Sequence, residues 1–149
     1  MAPPVLPPDF SAFLRSLNTH GVSYLVVGGY AVGFHGYPRA TADIDIWIPR
    51  DPGTAGRMVA ALRDFGFNVP ALSPDLFARP DQVIRLGVPP VRIELLTSIA
   101  GVEFEECVGR AVETTVDDVT VRIIGLEDLK RNKRAAGRHQ DLADLEHLP

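Results

Sequence analysis

The sequence predicts an α/β (α+β) chain: a mixed β-sheet flanked by helices, with short helices at its C-terminal end. Three observations predict it. Strand-length apolar runs at Tyr24–Val27, Ala42–Ile48, Gln82–Leu86, Val91–Leu96 and Thr120–Ile124 are separated by segments with helical spacing of apolar residues. Gly, Pro and Asp stand at most of the junctions, where chains turn or helices start. There are no internal repeats and no low-complexity linker, and 149 residues with 46% hydrophobic content suffice for about one core. Residues 1–8 are read as a proline-rich extended arm and residues 9–149 as one domain.

Each element follows from local chemistry. Asp9 is placed to cap a helix running to about Thr19, with Phe10, Phe13, Leu14 and Leu17 on one stripe and Gly21 ending it. Tyr24–Val27 reads as a short buried strand, Gly29–His35 as a short helix, Pro38 as a turn and Ala42–Ile48 as a second strand. Asp51-Pro52 is a helix start, a capping side chain followed by proline at the first helical position. That helix turns Met58, Val59, Leu62 and Phe65 inward and stops at Gly66. Ser73-Pro74 opens a single helical turn. Gln82–Leu86 and Val91–Leu96 are strands joined through Gly87-Val88-Pro89-Pro90. A helix over about Val102–Arg110 follows, then a hairpin of Val112–Val116 and Thr120–Ile124 around Asp117-Asp118. Leu126–Ala136 and Asp141–Leu148 read as helices parted near Gly137.

Composition excludes several classes of function. A net charge of -4 argues against a protein that coats nucleic acid nonspecifically, while leaving room for a local basic patch. One cysteine, Cys107, rules out an internal disulfide and reads as a small packing residue on a helix. The N-terminal MAPPVLPPDF has neither the basic nor the apolar region of a secretory signal. No apolar stretch reaches the ~18 residues of a membrane span. A cytoplasmic location is expected by default.

The chemistry centres on Tyr24–Ile48, YLVVGGYAVGFHGYPRATADIDIWI. Side chains alternate along a strand, so Asp43 and Asp45 share a face while Ile44 and Ile46 enter the core. Carboxylates on an apolar strand are costly unless a cation lies between them. A divalent ion is the natural candidate, and the turn at Gly28-Gly29 offers backbone N–H groups to phosphate. In Val91–Leu96, Arg92 and Glu94 point opposite to Ile93 and Leu95. Were this strand to lie beside Ala42–Ile48, Glu94 would join the two aspartates. Such a cluster can hold two metals about 3.5–4 Å apart for phosphoryl transfer, and Mg²⁺ (or Mn²⁺) suits oxygen ligands. The competing readings are a half-exposed edge strand with solvated acids, a ligand-free glycine turn, and Arg92 as a salt-bridge partner of Glu94. Trp47 shares the carboxylate face, either capping the sheet or stacking a base. The four histidines show no common spacing.

With these residues the chain resembles the DNA polymerase β-type nucleotidyltransferase superfamily, in its small prokaryotic AbiEii-related group. The likeness rests on VGGYAVGFHGYPRATADIDIWI, RIELLTSIAGVEF and IIGLEDLKRNKRAAGRHQDLADLEHL, which cover most of residues 22–148. It implies a minimal nucleotidyltransferase fold in which Gly28 and Gly29 cradle an NTP triphosphate. It also implies that Asp43 and Asp45 ligate the metals and that Glu94 supports the one activating the acceptor. Arg39 and Thr41 would lie near the phosphates or the acceptor, and Lys133, Arg138 and Asp141 would belong to the nucleotide site. One departure is that the third acid, often Asp in that superfamily, is Glu here and one methylene longer. The implied reaction is transfer of a nucleoside monophosphate from an NTP to a hydroxyl of RNA (such as tRNA) or protein, in a toxin–antitoxin or phage-defence setting with a cognate partner. A non-catalytic NTP-binding or antitoxin-like module is the alternative, given the small C-terminal helices. A dinucleotide-binding domain is a weaker rival, because Gly29, Gly33 and Gly36 do not match G-x-G-x-x-G. A DxD glycosyltransferase would need a larger sugar-nucleotide domain.

Overall fold

The computed structural model describes residues 6–68, 70–87 and 92–149. Residues 1–5 of the arm expected over 1–8, the start of a strand at Val91 and the connection through Val88-Pro89-Pro90 lie outside the described residues, while Pro8 already belongs to the first helix. Helix α1 spans Pro8–Thr19, strand β1 Leu25–Val27, α2 Gly28–Phe34, β2 Asp43–Trp47 and α3 Pro52–Phe65. They are followed by α4 (Pro74–Ala78), β3 (Val83–Leu86), β4 (Arg92–Leu96) and α5 (Phe104–Val108). The chain ends with β5 (Val112–Val116), β6 (Val119–Ile123), α6 (Leu126–Ala136) and α7 (His139–His147). The strands form one mixed sheet in the order β3-β4-β2-β1-β6-β5, with β4 parallel to β2 and β1 parallel to β6.

Local chemistry sets the boundaries. Asp51 accepts a hydrogen bond from the Thr54 N–H at 2.8 Å, and Gly66 closes α3 with φ 107°. Asp117 and Asp118 both take left-handed φ, 51° and 63°, as a two-residue hairpin turn requires. Gly137, at φ 64°, parts α6 from α7. At the first helix the expectation needs correcting. Pro7 occupies the cap without a side-chain bond, and Asp9 sits within the first turn, where its charge still favours the helix dipole.

Apolar alternation builds the core. Ile44, Ile46, Ile93 and Leu95 are at most 1% exposed, and they join one cluster with the Phe10, Phe13, Leu14 and Leu17 stripe of α1 and with Met58 and Leu62 of α3. Each residue between them must therefore face the other side of the sheet, and there the charged side chains collect.

Candidate active site

Strand register brings the three acids together. Asp45 lies directly opposite Glu94, and Asp43 directly opposite Arg92, in the parallel β2–β4 pair. On the other flank Val27 pairs with Asp45, so the chain turns into Gly28 beside that carboxylate. Gly28 has φ 66°, and a Cβ built there would stand 2.1 Å from Asp45 Oδ2. Only glycine fits this approach. At Gly29 a Cβ would come within 3.0 Å of the Thr41 side chain and 3.3 Å of Arg39. A cleft of about 460 Å³ opens here, and all ten residues singled out in the sequence line it.

The acids are not equivalent. Arg92 forks onto Asp43 with two bonds of 2.8 and 2.9 Å, and that bonding holds the Asp43 carboxyl below its ordinary range against the effect of burial. Arg85 of β3 donates to Glu94 at 2.8 Å. The partner of Glu94 is thus Arg85 and that of Arg92 is Asp43, so the competing reading of Arg92 as the salt-bridge partner of Glu94 does not hold. Neither arginine lines the cleft, whereas Asp43 and Glu94 do. Among the described residues no arginine pairs with Asp45. Burial first, then a hydrogen bond shared with Glu94 and the charges of Glu94 and Asp43, push its carboxyl up to about 7, with Lys133 opposing. Its Oδ1 is buried and finds no hydrogen-bond partner among the described residues.

Mg²⁺ or Mn²⁺ fits this donor set chemically. A buried, partnerless carboxylate oxygen flanked by two further acids is relieved by a hard cation, and oxygen ligands are what such ions take. The set is not assembled as a cage, however: among the described residues no group of three or more His, Cys, Asp or Glu side chains is disposed to hold a metal ion. Arg92 and Arg85 each pair with one of the three carboxylates, Asp43 and Glu94.

The basic tail is built into the opposite wall. Lys133, 4% exposed, bonds Asp141 and Asp144 at 3.0 Å each. Arg39, from the segment before β2, forks onto Asp144 at 2.9 and 3.0 Å. Arg138 bonds Asp141 at 2.8 Å and caps α7 with it. Burial raises the Asp141 and Asp144 carboxyls, but these cations outweigh it and leave both lowered. Sequence reasoning missed Asp144. The signal was present, since Asp141 and Asp144 are spaced i, i+3 on one helical face. It also missed Arg85 and the uncharged wall formed by Ser98–Ala100 and Asn132. Trp47 is 2% exposed and packs edge-on to Phe104 at 5.1 Å, so it caps the sheet.

A solved structure of a protein provisionally assigned as a nucleotidyltransferase, from Thermotoga maritima, is 16% identical with a TM-score of 0.62, covering 95% of this chain and 93% of that one. An antigenic nucleotidyltransferase-like protein from Paracoccidioides brasiliensis is 18% identical with a TM-score of 0.54, covering 92% of this chain and 72% of that one. At these identities the likeness is one of fold. Among curated proteins none matches. A family match runs through nearly the whole sequence, residues 8–149, and on it the chain belongs to the family described as "Nucleotidyl transferase of unknown function (DUF2204)".

Proposed function

We propose that the chain transfers a nucleoside monophosphate from an NTP to an acceptor hydroxyl in the cleft beside Gly28. The observation that carries this reading is the register that sets Asp43, Asp45 and Glu94 on one sheet face next to a turn where only glycine fits. In the reaction the acceptor oxygen bonds to the α-phosphorus, the bond from that phosphorus to the β-phosphate's bridging oxygen breaks, and pyrophosphate leaves. Asp43, Asp45 and Glu94 would hold Mg²⁺ or Mn²⁺, which when bound supplies charge neutralisation at the phosphates and acidifies the acceptor hydroxyl. Glu94, steadied by Arg85, takes up the hydroxyl proton. Gly28 and Gly29 leave room for phosphate against the backbone. Arg39, Lys133 and Arg138 outnumber the two carboxylates of their network and offset triphosphate charge, while Thr41 borders the same space. Asp144 does not line the cleft; it positions Arg39 and Lys133.

A second cleft of about 620 Å³ adjoins the first across Ser98 and Ile99 and is lined by Asp51, Asp81, Glu103 and Glu105 as well as Arg50. Its charge repels a phosphate backbone, which favours a protein acceptor over RNA. A toxin–antitoxin setting with a cognate partner, in the cytoplasm, is the biological reading we attach to this chemistry. Incubating the protein with α-labelled NTPs, Mg²⁺ and cell extract tests it. We expect label in a protease-sensitive species with wild type and none with Asp43→Ala or Asp45→Ala. NTP binding without any labelled species would instead favour a binding module acting through a partner.

A further inference from the structure

Two arginines serve the acids of the cleft, and they hold their carboxylates differently. Arg92 donates from Nε and Nη2 to Asp43 Oδ1 and Oδ2 at 2.8 and 2.9 Å, so one guanidinium engages both oxygens. Arg85 donates from Nε to Glu94 Oε1 alone, at 2.8 Å. Exposure separates the pairs as well. The Arg92 side chain is 33% exposed, whereas that of Arg85 is 62% exposed and its charge is largely screened by water. Arg92 also feels all three acids. Its bond to Asp43 first, then the charges of Asp43, Glu94 and Asp45, raise its guanidinium above the ordinary range against the effect of burial.

The fork matters because of how a carboxylate bonds. It carries about four lone-pair sites, two on each oxygen. A guanidinium that reaches both oxygens lies on the open side of the carboxylate and uses the two sites there. A divalent ion can then reach Asp43 only through an outer lone pair, beside a fixed positive charge that repels it. Glu94, bonded through one oxygen, keeps Oε2 clear of its arginine.

We propose that Arg92 is a built-in counter-ion that competes with the divalent ion for Asp43 and gives way as the ion enters. The inference rests on the proposed metal chemistry of this cleft and deepens it by naming what governs loading. One side chain then has two opposite effects. Without an ion, Arg92 relieves the repulsion among Asp43, Asp45 and Glu94. With an ion at Asp43, the same charge weakens its hold.

Calorimetric titration with Mn²⁺ alone, on wild type, Arg92→Leu and Arg85→Leu, tests the proposal. Arg92→Leu should bind Mn²⁺ about tenfold more tightly than wild type. Arg85→Leu removes a solvent-screened charge and should gain about threefold or less. Arg92→Leu binding Mn²⁺ no more tightly than wild type overturns the inference and leaves the acid site standing. An equal gain in both variants also overturns it, because net charge and not the fork on Asp43 would then govern loading. No Mn²⁺ binding by any of the three overturns this inference and the proposed metal chemistry together. Should Arg92→Leu fail to fold, wild type decides the matter by itself. Saturating Mn²⁺ should speed the modification of Arg92 by phenylglyoxal several-fold, read by mass spectrometry, and an unchanged or slower rate overturns the inference.

Discussion

At the residue scale, Asp45 is the most consequential side chain. Its carboxyl is pushed from 3.8 up to about 7 in the folded chain, so between those values the native state holds a proton that the unfolded chain has released. By linkage, the contribution of Asp45 to stability falls as pH rises through that window. The lowered carboxyls of Asp43, Asp51, Asp128, Asp141 and Asp144 act in the opposite sense, losing stability as pH falls. The difference between wild type and Asp45→Asn isolates the effect. Without metal, Asp45→Asn should melt several degrees above wild type at pH 8, with the gap shrinking as pH falls toward about 4; a lower melting point at pH 8 would contradict the assignment. Gly28 bears on the same carboxylate. Gly28→Ala should cost about 1–3 kcal/mol in denaturant unfolding, because left-handed backbone strain adds to the clash with Asp45. An unchanged midpoint would contradict it.

At the scale of elements, α6 and α7 form the wall that faces the acids, and Asp144 is their common anchor. It is fully buried and takes bonds from Arg39, Lys133 and Gln140. Asp144→Ala would leave a buried lysine with one partner and Arg39 with none, at roughly 3–5 kcal/mol. Asp144→Asn should keep the fold better but raise KM for the NTP more than it lowers kcat, since orientation of the phosphate-side cations is lost; an unchanged KM would sink the positioning role. Gly101→Ala should push the segment after β4 off α6 and cost about 1–3 kcal/mol in denaturant unfolding, because left-handed backbone strain adds to the clash with Ala135; a midpoint equal to that of wild type would contradict it. Much at this scale was legible in the sequence. Leu126–Ala136 emerges with the bounds its spacing predicts, and Asp51-Pro52 and Gly66 bracket α3, because caps and breakers are local signals. Asp144 was hidden because its partners come from Arg39 and Lys133, 105 and 11 positions away, and local periodicity does not name partners.

At the scale of the molecule, the strand order decides what the motifs mean. Alternation alone put Asp43 and Asp45 on one face and Arg92 and Glu94 on one face. That these are the same face required β4 to lie parallel beside β2, which no stretch of sequence specifies by itself. The same long-range register chose Asp43 for Arg92 and Glu94 for Arg85, a pairing that adjacency in the chain had pointed away from. With the sheet assembled, the family likeness, the glycine turn and the acid face coincide at one cleft. A crystal structure of the protein with Mn²⁺ and a non-hydrolysable NTP analogue tests this most directly. The account predicts anomalous density against the Asp45 carboxylate, shared with Asp43 or Glu94, and a triphosphate lying along Gly28-Gly29. Nucleotide bound elsewhere, or Asp45 left without an ion at saturating Mn²⁺, would contradict it.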